Sequence, residues 1–473
     1  MPKPAAATRG PERPAKKPRV DFSASRVKGS PVPQKKSKGK EKEKDPEKTA
    51  AVPRKRKKPA PEDAPTPLPR SFKVIAGSYE KLLYGLDGSV SYDADSGLSF
   101  DLKPVFIFPA HVSCIKAVAA SPHGGKWLAT GSADEIVKVW DLRRRKEIGG
   151  LMHHEGSITH LLFPSRSHLL SASEDGTLCL FRARDWAVLR ALRGHKGRVN
   201  AVAVHPSGKV ALSVGKDRTL RMWDLMRGKG CASTKLGKEA ELVRWSSDGA
   251  LFAVQAASTI DIYTTDMNLL HTITHPSRLH DIKFVRRVNG AGDVLLAAAE
   301  DAKLSVYAVS PDPATPPRVV AEMTGHTNRV KAVQTLPIAL PAGAPRPATT
   351  VVCTASSDGR IHLYDLAALP EVAVELLEMA PVAVYDSKGT RLTCVTLADG
   401  DDGGAAALAV GKRKRGDEGG EDDGDEDEDE DEEWGGVGAP EIGGSVGGED
   451  DSAWEDEDED EAEEEGEGEV ESD

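Results

Sequence analysis

Short apolar runs and alternating apolar and polar positions recur through the middle of the chain, with turn residues between them. Residues 136–140 and 220–223 are two such segments, each ending in tryptophan. A period of two residues is typical of β-strands, and Asp-Gly pairs such as those at 175–176 and 358–359 favour tight turns between strands. The pattern therefore predicts an all-β fold built from many short strands.

These strands repeat at intervals of about 40–45 residues. In five segments an acidic residue lies six positions before an aromatic one, and in four of these a hydroxyl residue lies four positions before the acid, with a histidine further upstream. The acid–aromatic pairs are Asp134 and Trp140, Asp175 and Phe181, Asp217 and Trp223, Asp301 and Tyr307, and Asp358 and Tyr364; the hydroxyls are Thr130, Ser171, Ser213 and Thr354; the histidines are His111, His154, His195 and His326. A repeat of this length and ending is typical of WD-repeat β-propellers.

We interpret these recurring side chains as one buried hydrogen-bonded tetrad per blade. Repeat one (His111, Thr130, Asp134, Trp140) and repeat three (His195, Ser213, Asp217, Trp223) have complete sets, whereas Phe181 and Tyr364 replace tryptophan in repeats two and six. A Ser-His-Asp catalytic triad uses the same residue types, but it occurs once and in an open cleft. The repetition predicts a structural role, so we expect no catalytic residues and no enzymatic activity.

Seven blades require degenerate repeats between residues 71 and 400. Blade four (242–263) lacks a tetrad, and blade five (275–307) has Ala297 in place of the hydroxyl residue. We expect the last blade to be shared by residues 72–100 and 380–400, because joining the two ends removes exposed sheet edges. A proline-rich insertion at 337–347 lengthens blade six, and we expect a protruding loop there, either a neutral surface loop or a partner contact.

The charge distribution sets the two ends apart from this body. Of the 473 residues, 1–70 contain 21 Lys and Arg against 8 Asp and Glu, whereas 411–473 contain 4 against 32. Such segments bury too little apolar surface to fold, so we expect a disordered basic arm (1–70) and a disordered acidic tail (401–473). Five scattered cysteines predict no metal site, and we expect no leader, no membrane span and no cofactor.

Basic clusters in both ends are candidate nuclear localisation signals. They are Arg54, Lys55, Arg56, Lys57 and Lys58, and Lys412, Arg413, Lys414 and Arg415. The arm could also contact RNA phosphates without reading bases, because it lacks aromatic residues for stacking. The acidic tail either only solvates the protein or holds basic proteins, with Trp434 and Trp454 as anchors, and it could fold back onto the arm and shield it.

Beyond the repeat, the run from His205 to Trp223 resembles the third repeat of the PAK kinase-interacting protein 1-like family, which includes the nucleolar propellers first named for maintenance of killer RNA virus. Residues 76–80, 153–159, 195–199, 260–263, 326–331 and 391–394 agree with the family in the same order. The resemblance covers about 72–397. The basic arm and the proline-rich insertion depart from the family pattern.

The resemblance implies a non-enzymatic scaffold for assembly of the large (60S) ribosomal subunit in the nucleolus. Its partners would be pre-ribosomal proteins and rRNA, and the protein would be a monomer within a larger particle. Animal family members are also described as restraining a Rac/Cdc-activated (PAK) kinase. The alternative class is a histone-chaperone or chromatin-binding propeller, which the acidic tail would fit. No membrane and no small-molecule substrate is expected.

Overall fold

The computed structural model describes residues 67–290, 292–371 and 375–400. Within these ranges nearly all regular structure is β, and one short 3-10 helix, Leu366–Ala368, is the sole helical element. The described strands form seven sheets. The arm expected at 1–70 and the tail expected at 401–473 lie outside the described residues, except for 67–70, where the Pro69 carbonyl accepts a hydrogen bond from Ala339.

Both ends of the described chain contribute to one sheet, which we number blade seven. Its strands, from the innermost outwards, are β29 (Leu392–Asp399), β1 (Ser71–Ser78), β2 (Leu82–Asp93) and β3 (Gly97–Pro109). β1 pairs antiparallel with β29, with Ala76 opposite Val395 and Gly77 opposite Cys394. The terminal strand thus fills the innermost position of the sheet that the first three strands begin.

Blades one to four are simple antiparallel meanders in which each strand pairs with the next one in sequence. Blade one is β4 (Ile115–Ala120), β5 (Trp127–Ser132), β6 (Val137–Asp141) and β7 (Lys146–Leu151); blade two is β8 (Ile158–Ser165), β9 (His168–Ser173), β10 (Thr177–Arg182) and β11 (Val188–Arg193); blade three is β12 (Val199–Val204), β13 (Val210–Gly215), β14 (Thr219–Asp224) and β15 (Lys229–Lys235); blade four is β16 (Leu242–Trp245), β17 (Leu251–Ala256), β18 (Thr259–Thr264) and β19 (Leu269–Thr274).

Blades five and six are joined at their outer edges, because the chain that follows the third strand of blade six adds one short strand to blade five before it returns to complete blade six. Blade five is β20 (Leu279–Arg286), β21 (Asp293–Ala299), β22 (Leu304–Ala308), β23 (Arg318–Met323) and, parallel to β23, β27 (Leu377–Met379); blade six is β24 (Val330–Ala339), β25 (Ala348–Ser356), β26 (Arg360–Asp365) and β28 (Ala383–Asp386). β28 falls within the 380–400 range expected for the shared blade, but it pairs with β26. Without β28 the outer edge of β26 would lack a partner, so only β29 remains for blade seven.

The innermost strands contact one another around a closed ring, from β4 through β8, β12, β16, β20 and β24 to β29, which returns to β4. Apolar clusters lie between neighbouring sheets; one joins β1 and β2 of blade seven to β25 and β26 of blade six. The prediction of a seven-bladed WD-repeat propeller is confirmed. Each blade is stabilised by burying its faces against two neighbours, as expected for a repeat architecture.

The proline-rich insertion is a long hairpin. Pro337 lies within β24 and faces Thr350 of β25 in the register, so the loop expected at 337–347 begins only after the end of this strand. β24 is the innermost strand of its sheet, and an edge strand can hold proline because one side of its backbone has no strand partner. Only residues 340–347 form the turn itself.

Because neighbouring strands are antiparallel, the connections of each blade fall on two opposite faces. The upper face contains the turns between the second and third strands and the links from one blade to the next. The lower face contains the turns between the first and second strands and between the third and fourth strands.

Candidate interaction surfaces

Blade three shows the complete tetrad as one chain of hydrogen bonds. Trp223 Nε1–H donates to Ser213 Oγ at 2.7 Å, and Ser213 Oγ is 2.7 Å from His195 Nε2. On the other side of the ring, His195 Nδ1 lies 3.0 Å from both carboxylate oxygens of Asp217. One proton arrangement gives every group a partner: tryptophan donates to serine, serine to histidine, and histidine to aspartate.

The aspartate also ties the upper-face turn of its blade to the preceding link. Asp217 accepts hydrogen bonds from the backbone N–H of Lys196 and from the Thr219 hydroxyl. Burial opposes ionisation of this carboxyl, but these donors and His195 outweigh it and lower the pKa of Asp217 to about 2. Burial also lowers the pKa of His195, so the ring is neutral at neutral pH. The tetrad is therefore a neutral imidazole held by an ionised carboxylate.

Blade one repeats this arrangement. His111 Nδ1 is 2.9 Å from Asp134 Oδ2, and its Nε2 is 2.8 Å from Thr130 Oγ1. Trp140 Nε1–H donates to the same hydroxyl at 3.0 Å. The imidazole side chain of His111 has no exposed surface. A group enclosed in this way cannot reach a substrate, which supports a structural role for the set.

Blades two and six keep the first three members and change the fourth. His154 lies 2.9 Å from Asp175 and 2.6 Å from Ser171, and the fourth position is the apolar ring of Phe181. In blade six His326 lies 3.2 Å from Asp358 and 2.8 Å from Thr354. Phenylalanine offers no N–H donor, so the Ser171 hydroxyl has one side-chain partner fewer than Ser213.

Tyrosine in blade six redirects the network. The Tyr364 hydroxyl donates to the Thr324 carbonyl at 2.8 Å and lies 3.1 Å from His362 Nδ1. His362 stacks on His326 with ring centroids 3.8 Å apart. Burial and the neighbouring His326 lower the pKa of His362 to about 4. The sequence pattern did not single out His362, because the other blades have no histidine at this position of the third strand.

Blade five contains a partial set that sequence reasoning missed. His275 Nε2 is 3.3 Å from the Ser305 hydroxyl and 3.7 Å from Asp301. Ala297, at the expected hydroxyl position, lies directly opposite Ser305 in the strand register. The hydroxyl has therefore moved to the adjacent strand at the same level. A lone serine inside the otherwise apolar run 304–308 was the available signal.

A channel of about 680 Å³ runs down the axis and is lined by all seven innermost strands. Arg244 Nη2 pairs with Asp281 Oδ1 at 3.0 Å, and Asp281 Oδ2 accepts the N–H of Val333 at 3.0 Å. These contacts join blades four, five and six. Lys283 donates to Gln334 at 3.2 Å, and burial together with Arg244 lowers the pKa of this lysine to about 8.

The channel groups supply positive charge and hydrogen-bond donors, and they also brace the ring. Arg244 Nη1 reaches to 3.3 Å from His160 Nε2 in blade two. Asp281 and Lys283 alternate along β20, so a polar residue at every second position of a first strand was the sequence signal for the channel lining. Among the described residues no group of three or more His, Cys, Asp or Glu could hold a metal ion.

The upper face carries three exposed apolar side chains on consecutive blades. Tyr79 lies in the upper turn of blade seven, Val112 in the link to blade one, and Met152 in the link to blade two; they are 59, 79 and 76% exposed. Exposed apolar side chains on successive blades of a closed ring form a surface suited to a protein partner. We call these three residues the upper apolar row.

The remaining sequence candidates are the localisation signals and the cysteines. The proposed localisation signals at 54–58 and 412–415 fall outside the described residues. Of the cysteines, burial raises the pKa of the Cys179 thiol to about 11, above the range of a reactive thiolate. No helix in the described part of the chain is long and apolar enough to cross a membrane.

Comparison with known proteins agrees with this architecture. Residues 102–141, 145–182 and 186–224 match the family described as WD domain, G-beta repeat. The chain is 34% identical over 324 residues to a Danio rerio p21-activated protein kinase-interacting protein 1-like protein. That alignment covers 68% of this chain and 79% of the relative. The chain is 31% identical over 366 residues to Protein MAK11 of Saccharomyces cerevisiae, and the alignment covers 69% of this chain and 83% of that protein.

A third relative has a kinase in its name. Shk1 kinase-binding protein 15 of Schizosaccharomyces pombe is 28% identical over 305 residues, which cover 62% of this chain and 77% of that protein. These alignments are long enough to include nearly the whole ring rather than a few repeats. The chain therefore belongs to the WD-repeat family that includes the p21-activated protein kinase-interacting protein 1-like proteins and Protein MAK11.

Proposed function

We propose that this protein is a non-enzymatic scaffold for assembly of the large ribosomal subunit in the nucleolus. The observation that carries the proposal is membership of the family that contains Protein MAK11, with similarity over almost the entire propeller. The enclosed tetrads support a scaffold rather than an enzyme, because their His, hydroxyl and Asp side chains hydrogen-bond to one another inside each blade. Partners would be pre-ribosomal proteins and rRNA.

Sedimentation of nuclear extracts containing the tagged full chain tests this proposal. We expect the chain to co-migrate with precursors of the large subunit. A variant with Val112→Asp and Met152→Asp places charge in the upper apolar row and should shift the chain to light fractions. Met226→Asp is the matched control, because Met226 is 71% exposed but lies in a lower-face turn of blade three. Recovery of the unaltered chain exclusively with histones or with a kinase would contradict the proposal.

A second candidate function is binding and restraint of a p21-activated type kinase. Relatives named as kinase-interacting or kinase-binding proteins favour it. Purified full chain would be titrated with such a kinase while its phosphorylation of a peptide is measured. Inhibition that Val112→Asp and Met152→Asp remove, and Met226→Asp does not, would support this role. Kinase activity unaffected by an excess of the chain would exclude it.

A further inference from the structure

The lower face of blades one and two carries a concentration of cationic side chains. They come from the two lower turns of each blade, which place successive Lys and Arg residues on the same surface. All are exposed. Asp185 in the second lower turn of blade two is paired with Arg182, and Asp141, which lies opposite Lys146 in the strand register, is buried and accepts the backbone N–H groups of Arg143 and Arg144. We call this set the lower basic cluster; its members are Lys126, Arg143, Arg144, Arg145, Lys146, Arg166 and Arg184.

The cluster is contiguous across the boundary between the two blades. The guanidinium groups of Arg143 and Arg166 both lie beside Gly124, at 3.2 and 3.6 Å from the position that a Cβ would occupy there. Lys126 Nζ sits 4.1 Å above the ring of Trp127, which makes an edge contact with Trp186 at 5.4 Å. Trp186 lies two residues after Arg184 in the same turn, so the aromatic pair connects the lower turns of blades one and two.

These charges lack the carboxylate partners that are common elsewhere on the ring. On the upper face Arg198 pairs with Glu239 at 3.2 Å, and Arg278 pairs with Glu241 at 2.9 Å. Within the described part of the chain, residues 143–146 and Arg166 make no ion pair. Like charges held this close repel one another, and the repulsion is relieved by a polyanion.

The last described residues, Asp399 and Gly400, lie at this same place. The carboxylate of Asp399, the last residue of β29, accepts a hydrogen bond from the N–H of Gly124, and Gly400 donates to the Ser71 carbonyl at 2.9 Å. The following sequence from Asp417 to Asp473 contains 32 acidic residues and no Lys or Arg. The 16 residues between Gly400 and Asp417 can span at most roughly 53–58 Å, which is ample to reach the cluster.

We propose that the lower basic cluster is the docking surface for the acidic segment 417–473 of the same chain. Because a short tether attaches this segment beside Gly124, its effective concentration at the cluster is in the millimolar range. Individually weak contacts are therefore enough to keep it bound. Docked there, the segment shields the positive charge of the cluster. Another polyanion then binds the cluster only if it displaces the segment. This inference is independent of the ribosomal role.

Binding of the segment in trans tests the contact directly. A fluorescent peptide of residues 417–473 is titrated onto the chain truncated after residue 416, which keeps every described residue. We expect binding that weakens at least tenfold between 50 and 200 mM salt, since several ion pairs form at once. Arg143→Glu, Arg144→Glu and Arg166→Glu together should weaken it at least tenfold more. The matched control reverses three upper-face cations by Lys196→Glu, Lys216→Glu and Arg218→Glu, and should bind like the parent.

A second measurement keeps the test informative if charge reversal impairs folding. Arg143→Gln, Arg144→Gln and Arg166→Gln, with a thermal unfolding midpoint matching that of the parent, should weaken peptide binding in the same direction. A poly-uridine probe should bind the truncated chain at least tenfold more tightly than the full chain, and these Gln substitutions should remove that gain. Equal loss of peptide binding in the upper-face control would overturn the proposal. Loss only on deletion of residues 1–66 would also overturn it, because the segment would then dock on the basic arm.

Discussion

The Ser213 hydroxyl satisfies two buried groups at once, so Ser213→Ala should be unusually destabilising for the loss of one oxygen atom. Its Oγ lies 2.7 Å from Trp223 Nε1 and 2.7 Å from His195 Nε2, and the serine is fully buried. Leaving a buried polar group without a partner costs about 1–3 kcal/mol. Two such groups predict a fall of about 2–4 kcal/mol in the free energy of unfolding.

Ser171→Ala in blade two is the matched control. Ser171 is equally buried and lies 2.6 Å from His154, but Phe181 occupies the tryptophan position and offers no N–H. Only one ring nitrogen loses its partner, so we expect a loss of about 1–2 kcal/mol. Urea unfolding followed by far-ultraviolet circular dichroism measures both values, since that signal does not depend on tryptophan fluorescence.

A double variant isolates the cause. In a Trp223→Phe background the N–H is absent from the start, so adding Ser213→Ala should cost no more than Ser171→Ala does in the parent. The coupling between the two positions would then be about 1–2 kcal/mol. Equal destabilisation by Ser213→Ala and Ser171→Ala, or additive effects of Ser213→Ala and Trp223→Phe, would refute the reasoning.

Two further predictions concern closure of the ring and acid. Truncation after Arg391 removes β29, including the buried side chains of Leu392 and Val395, each worth about 1.5–3 kcal/mol. The chain should then lose the cooperative thermal transition that a truncation after Gly400 retains. Matching transitions in the two chains would show that β29 does not close the ring. The folded-state pKa of His362 is about 4, below that of an unfolded histidine. The unfolded chain therefore binds more protons than the folded chain between pH 6.5 and about 4. The free energy of unfolding should fall as pH falls through that window, by up to about 3 kcal/mol. Urea midpoints at pH 7 and 4.5 measure this loss, which His362→Gln should reduce; an unchanged pH dependence in that variant would assign the loss to other groups.

Much of the fold follows from local sequence. The alternation of apolar residues predicts the strands, the 40–45-residue period predicts the blades, and the spacing of Asp217 from Ser213 and Trp223 identifies the tetrad positions that the structure brings within hydrogen-bond distance. These features are readable because each blade solves the same packing problem with the same residue types. A repeated local solution leaves a periodic trace in the sequence.

Other features depend on which strands meet in space. The assignment of β28 to blade six, the parallel pairing of β27 with β23, and the partnership of Ser305 with His275 have no fixed spacing in the sequence. Each results from competition between strand edges or hydroxyl groups that are distant along the chain. A single sequence does not reveal which of two possible partners is nearer after folding.

The sequence by itself determined the fold class, the number of blades and the His, hydroxyl and Asp positions of four blades, because repeats of similar length and fixed internal spacing leave a periodic trace. Only the tertiary structure decided the surfaces. Closure of the ring brings Asp399 beside Gly124 and sets Arg143 next to Arg166, although these residues belong to three different blades. Likewise Tyr79, Val112 and Met152 fall on one face only because antiparallel strands alternate the direction of their turns. Charge and exposure at a surface depend on the arrangement of blades, which no repeat encodes alone.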